Sequence, residues 1–147
     1  MLFQMIAMID KDFFFFIGET GALANYIHVD NVVEGLIQCG KNPAAKGQIY
    51  NLSDNIPIEK FVEIIAKELK KSMPKIRLPE KPIRLIARQC NRFFNFPLTE
   101  NRIDALTKRS WYSIKKIQDE LGYSHQVSIE NGLRQMVMQK KNFDEKN

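Results

Sequence analysis

Apolar residues recur at helical spacing over the first nine positions, at Leu2, Phe3, Ile6 and Ile9, until Asp10-Lys11-Asp12 interrupts them. The run from Phe13 to Ile17 then has no polar alternation, which is the pattern of a short strand buried on both faces. Gly18 and Gly21 supply turn residues, and Tyr26 to Val29 forms a second β-rich segment. Asp30 and Asn31 carry short polar side chains suited to cap a helix. Val32, Val33, Leu36 and Ile37 give that helix its apolar stripe, and Gly40 with Pro43 stops it.

Gly47 opens a further strand, Gln48 to Leu52, and Ser53-Asp54-Asn55 closes it as a turn. Beyond Pro57, Phe61, Ile64, Ile65 and Leu69 make a one-sided helical stripe, opposite Lys60, Glu63, Lys67 and Lys70. That helix ends before Pro74. An extended piece, Lys75 to Leu78, leads to a third helix in which Ile83, Ile86, Ala87, Cys90 and Phe94 face one way and Arg84, Arg88 and Arg92 another, with Pro97 to close it. Thr99, Ser113 and Ser128 each precede a short apolar repeat: Ile103 with Leu106, Ile117 with Leu121, and Ile129, Leu133, Met136 and Val137. Gly122 ends the middle one. Two or three short strands among about six helices predict an α/β or α+β fold. The strands are too few for a complete sheet, so this is expected to be a piece that packs on something else. The folded part is expected to be 1–140, with 141–147 a disordered tail.

At 147 residues the chain fits one domain, and 44% hydrophobic with 27% charged residues calls for an ordinary packed core. No apolar run approaches the ~18 residues of a membrane-crossing helix. The start of the chain has neither basic leader nor cleavage site, so a cytoplasmic location is expected. Cys39 and Cys90 lie far apart and only His28 and His125 accompany them, which predicts reduced thiols and no metal site. The net charge of +5 is concentrated between residues 67 and 116. It is diffuse, without an arginine-rich tract, aromatic ribonucleoprotein motif or zinc finger, so no nucleic-acid partner is expected. The stripe Arg84, Arg88, Arg92 with Lys81 is expected to be a solvated face. Covering a substrate cleft, or lying on an anionic membrane surface, is the less favoured alternative.

Two motifs invite a catalytic reading. Gly18-Glu19-Thr20-Gly21-Ala22-Leu23-Ala24 has the letters of a dinucleotide fingerprint, whose glycines would let backbone amides approach a pyrophosphate at a helix N-terminus. The residues that follow, Asn25 to Val29, are β-formers where a helix should start, which favours a plain turn. Tyr112 and Lys116 fit YxxxK, in which a lysine lowers the pKa of a catalytic tyrosine one helical turn away. Ser113 is the expected cap, which leaves Tyr112 outside the helix.

The order of several weak patterns is more informative. Phe13-Phe-Phe-Phe-Ile-Gly18, Asn25-Tyr-Ile-His-Val-Asp-Asn-Val-Val-Glu-Gly-Leu36, Gly47-Gln-Ile-Tyr-Asn-Leu-Ser-Asp54, Pro97-Leu-Thr99, Tyr112 to Tyr123 and Ser128-Ile-Glu-Asn-Gly-Leu133 follow one another along the chain. In that order they resemble the C-terminal, substrate-binding portion of extended short-chain dehydrogenase/reductases, the NAD-dependent epimerase/dehydratase superfamily. The resemblance implies that the cofactor glycines and the catalytic YxxxK belong to a Rossmann half absent from this chain. No catalytic or cofactor-binding residue is therefore assigned here. NAD or NADP would serve the complete enzyme, and this chain alone would be inactive.

By the same resemblance Phe15, Phe16 and Ile17 form the strand that meets a substrate nucleotide through backbone groups, and Arg102 lies near the position of a diphosphate-binding arginine. The family's other diphosphate arginine is here Ala24. That departure favours relatives of the hydroxysteroid or flavonol reductase type over nucleotide-sugar enzymes. Expected partners are a small-molecule substrate, either a nucleotide sugar or a hydroxy or keto compound, and the Rossmann half or, failing that, a second copy of the chain. Two other readings are a non-catalytic interaction module or truncated gene product, and a small nucleotide-binding oxidoreductase using Gly18, Gly21, Tyr112 and Lys116.

Overall fold

The stripe of residues 58–69 forms α3 (Ile58–Glu68), and in this computed structural model, which describes residues 2–93 and 98–144, most of the core gathers around it. Phe61, Val62 and Ile65 are fully buried. Against them pack α1 (Leu2–Asp10) through Ile6 and Ile9, and α7 (Ile129–Asp144) through Leu133 and Val137. Lys60, Glu63, Lys67 and Lys70 remain exposed on the opposite side, as the pattern predicts. The side chains of Cys90, Arg92 and residue 144, together with Phe94, Pro97 and 145–147, lie outside the described residues.

Four short strands form two separate pairs. β1 (Phe16–Ile17) runs parallel to β4 (Arg77–Leu78), and β2 (Leu23–Tyr26) runs antiparallel to β3 (Asp54–Pro57) with Tyr26 opposite Asp54. The predicted strand from Phe13 is thus shortened to two residues. Phe13 is 72% exposed, and its N–H completes the last turn of α1 by donating to Met8. Asp54 and Asn55 are paired strand residues and not a turn, because β2 offers them a ladder. The β-rich segment also ends earlier than expected, at Tyr26. His28 then caps α2 (Val29–Lys41), its Nδ1 accepting from the N–H of Asp30.

The remaining helices are α4 (Glu80–Phe93), α5 (Glu100–Thr107) and α6 (Lys115–Leu121), so the described residues hold seven α-helices. Ser113 does assist α6, accepting from the N–H of Lys115, and Gly122 ends it in the left-handed region. Ser128 likewise accepts from the N–H of Asn131 in the first turn of α7. This last helix continues through Asp144. Lys141 is held there, its Nζ donating to the Glu68 carbonyl across the α3–α7 seam. The mixed fold class, a few short strands among helices, holds.

Two differences from expectation concern α2 and its surroundings. The stripe Val33, Leu36 and Ile37 points outward, with Leu36 66% exposed, while Asn31 and Gly35 are buried. Asn31 sets that rotation. Its Oδ1 accepts from Gln126 and Val127 at 2.8 and 2.9 Å, its Nδ2 donates to the Val127 carbonyl at 2.8 Å, and its own carbonyl accepts from the Tyr123 hydroxyl at 3.0 Å. Gly35 lets the helix approach Leu52, whose Cδ1 would stand 2.6 Å from any added Cβ. The second difference is Gln48 to Leu52, which pairs with no strand among the described residues and leaves Ile49 84% exposed. A strand needs a neighbour to satisfy its backbone, and none pairs with it among the described residues.

Replacing Asn31 with Leu keeps much of the volume but orphans two partly buried backbone N–H groups and a carbonyl. We expect a loss of about 3 kcal/mol in urea unfolding. A loss below about 1 kcal/mol would contradict this account of how α2 is rotated.

Candidate functional site

A largely apolar cavity of about 370 Å³ lies between α1, the segment leading into β1, β2 and α5. Local patterning accounts for it. From Leu2 to Ile9, α1 is apolar nearly all round. Ile6 and Ile9 fill the core and leave Met5 and Met8 for the cavity. Along the extended chain the side chains alternate, so Phe16 points into the core while Phe15 and Ile17 line the other side, with Phe14 bordering both. On α5, Ile103 is buried, and Arg102 and Leu106, one turn apart, face the cavity with Leu98 beside them.

Three polar side chains reach this space: Gln4, Tyr26 and Arg102. Arg102 Nη2 donates to Gln4 Oε1 at 2.7 Å, which ties α5 to α1 at the exposed edge. The Tyr26 ring stacks on Phe61 with centroids 4.8 Å apart, and burial raises its phenol above the ordinary pKa, so it stays protonated near neutrality. Phe15, Ile17 and Arg102 therefore come together as cavity lining. Phe16 does not. It packs edge-on against Phe14 with the Arg77 guanidinium 4.8 Å above its ring, and its backbone N–H is taken by the Ile76 carbonyl. Gln4, Met5, Met8, Tyr26 and Leu106 were not anticipated. The signal for α1 was present in the sequence, since a helix apolar on more than one face must meet more than one surface.

The look-alike motifs are employed otherwise. Gly18 and Gly21 sit at φ +72° and +90° in a turn closed by Arg109, which donates to the Thr20 carbonyl and pairs with Glu19. Strand β2 follows this turn, so the turn opens no helix of its own, and the first residue of α4 (Glu80–Phe93) sets its side chain against Gly18. Tyr112 exchanges backbone hydrogen bonds with the Asn55 side chain, whereas Lys116 Nζ donates to Gln48 Oε1 at 2.8 Å and lies over the Tyr50 ring. Neither supports the oxidoreductase reading built on these four residues. Among the described residues no cluster of His, Cys, Asp and Glu could hold a metal ion, and no helix is long and apolar enough to cross a membrane.

The arginine stripe is part seam and part solvated face. Arg84 pairs with Glu80 at 2.7 Å and with Asp104 at 2.6 Å, which joins α4 to α5, whereas Arg88 pairs with Glu100 and stays 67% exposed, as Lys81 is exposed. These hydrogen bonds raise Arg84 and hold the Asp104 carboxyl below its usual pKa. The expected inward face of α4 is reduced accordingly. Ala87 is buried, but Ile86 is exposed.

A second polar cluster lies where β3 meets the α6–α7 loop. His125 Nδ1 is 3.4 Å from Asp54 Oδ1, Tyr123 meets the His125 ring edge-on, and Ser53 Oγ, Asp54 Oδ2 and His125 Nε2 are buried without hydrogen-bond partners. Burial raises the Asp54 pKa, and His125 partly offsets it.

No family model matches the chain. Among curated proteins it is similar to short-chain dehydrogenase/reductase family 42E member 1. The Homo sapiens protein is 27% identical over 141 aligned positions, covering 84% of this chain and 36% of that protein. The Danio rerio protein is 26% identical over 138 positions, covering 82% and 36%. This chain resembles one portion of a short-chain dehydrogenase/reductase. It spans little more than a third of the length of the relatives it matches. Solved structures agree in fold. UDP-glucuronic acid 4-epimerase from Bacillus cereus, in complex with UDP-glucuronic acid and NAD, superposes with a TM-score of 0.66 at 18% identity, over 97% of this chain and 40% of the epimerase. RMD from Pseudomonas aeruginosa, complexed with NADPH, gives 0.60 at 13% identity, over 96% and 40%. The short-chain dehydrogenase/reductase resemblance drawn from the ordered motifs therefore holds.

A raised folded pKa means that the fold holds the Asp54 proton more tightly than the unfolded chain does. Its stabilising contribution is full below the ordinary carboxylate value of 3.8 and is lost as pH rises through the higher folded value. Asp54→Asn, which cannot ionise, is expected to gain stability relative to the wild type as pH rises from about 4 to 7 in urea unfolding. A difference that stays constant with pH would contradict this.

Proposed function

We propose that this chain is the substrate-binding portion of an NAD(P)-dependent short-chain dehydrogenase/reductase, and that its substrate is an apolar hydroxy or keto compound. The observation that carries the proposal is the cavity, which gathers Phe15, Ile17 and Arg102 into one largely apolar surface. A diphosphate is best held by several charge-assisted donors. This cavity has one arginine in its lining, and position 24 is a buried alanine. Both facts favour the hydroxysteroid or flavonol type of substrate over a nucleotide sugar.

The cofactor and the catalytic tyrosine and lysine belong, in this reading, to a Rossmann half that packs on the outward stripe of α2 and supplies the missing neighbour for Gln48 to Leu52. The two features adjoin, Leu52 lying against Gly35. A parallel nucleotide-binding sheet is covered by helices on both faces, so one such partner would satisfy both the helix stripe and the unpaired backbone. NAD(P) would supply hydride transfer to the complete enzyme. The part played by this chain is to bind and orient the substrate and exclude water from it.

Calorimetric titration of the chain with a hydroxysteroid, a UDP-sugar and NADP tests the reading. Saturable binding of the steroid alone is expected, weakened at least about tenfold by Phe15→Asp, which would set a charge in the apolar wall. Binding of the UDP-sugar without the steroid would overturn the substrate assignment. Saturable NADP binding would overturn the assignment of the cofactor to the other half.

A further inference from the structure

Behind the main cavity lies a smaller pocket of about 40 Å³, lined by Leu2, His28, Ile129, Gly132 and Met136 among others. Alone it has room for a few water molecules at most. Of the residues lining the two spaces, Tyr26 is common to both. The α1 helix roofs both spaces, with Leu2 over the small one and Met5, one turn on, over the large one. The Tyr26 ring is held from two sides. Its backbone is locked in β2 opposite Asp54, and its face stacks on the fully buried Phe61 at an interplanar angle of 24°. It is a fixed wall, unlike the methionines on α1, whose flexible side chains adapt to what they touch.

We propose that Tyr26 sets the length of apolar substrate that this site accepts, by partitioning the main cavity from the pocket beneath Leu2. This rests on the reading of the main cavity as the substrate site. An apolar ligand gains affinity with each methylene it buries and stops gaining when its end meets the ring. Without the ring the two spaces become one, ending at His28, whose Nε2 is already engaged with Gln135 Oε1 at 3.1 Å. The substrate class follows: an extended apolar molecule, since apart from Gln4, Tyr26 and Arg102 the lining of the main cavity is apolar.

A series of straight-chain primary alcohols of increasing length, titrated into the chain by calorimetry, tests this. In the wild type, affinity should rise about fourfold per added methylene, the equivalent of about 0.8 kcal/mol, up to a cut-off and then level. Tyr26→Ala should move the cut-off to longer alcohols, and Tyr26→Phe, which keeps the ring, should leave it in place. Tyr26→Leu removes the ring with less loss of core packing, and it carries the test if the alanine variant lacks a cooperative melt. A cut-off that is the same in the wild type, Tyr26→Phe and Tyr26→Leu would overturn the partition while leaving the cavity an apolar site. Failure of a cooperatively melting wild type to bind any alcohol would overturn the cavity reading and the partition with it.

Discussion

The alternation of side chains along Phe14 to Ile17 is the constraint on which the site depends. An extended segment has two faces, and here both are apolar. One face, Phe14 and Phe16, must fill the space beside α3, where Phe61 and Ile65 complete the core. The other face is then committed to the opposite side, where Phe15 and Ile17 meet α1 and α5. The short strand β4 and the Ile76 carbonyl before it hold this segment in register, and the Arg77 side chain reaches the Gly18 carbonyl and pairs with Glu59 on α3. A one-residue slip would exchange the two faces, emptying the core and filling the cavity with the wrong side chains.

The same accounting applies to the side of the molecule formed by α2. Asn31 turns α2 so that its polar residue is buried and its apolar stripe is not, an arrangement that costs free energy unless something covers the stripe. Beside it, Gln48 to Leu52 has the composition of a strand and no ladder, held instead by Lys116 to Gln48 and by Tyr50 to Glu120 at 2.7 Å. A helix stripe and an unpaired strand side by side are what a larger sheet would complete. That the chain matches little more than a third of its relatives is in keeping with this.

Much of the helical framework was legible because period and punctuation agreed: α3 from its stripe, α6 from Gly122, α7 from Ser128. The strands were less so. Pairing is decided by what lies alongside, which is why Asp54-Asn55, with the letters of a turn, became a strand, and Gln48 to Leu52, with the letters of a strand, did not. The rotation of α2 escaped notice because one buried asparagine outweighed four apolar side chains through the backbone groups it satisfies in a distant loop. The arginine stripe was visible, but the partners of Arg84 and Arg88 on α5 lie beyond the reach of periodicity within α4. Of the residues that the family resemblance singled out, Phe15, Ile17 and Arg102 lie in the cavity lining, while Phe16 packs in the core. The contribution of α1 was hidden in a run that looked merely hydrophobic.

The central claim is that the cavity under α1 seats an apolar ligand. Methionine-methyl NMR reads it directly, since two of the chain's six methionines, Met5 and Met8, line the cavity. On titration with a hydroxysteroid, those two methyl resonances should move saturably with a single dissociation constant while exposed Met138 stays fixed. If Met5 and Met8 do not move, or all the methionines drift together without saturation, the account is contradicted.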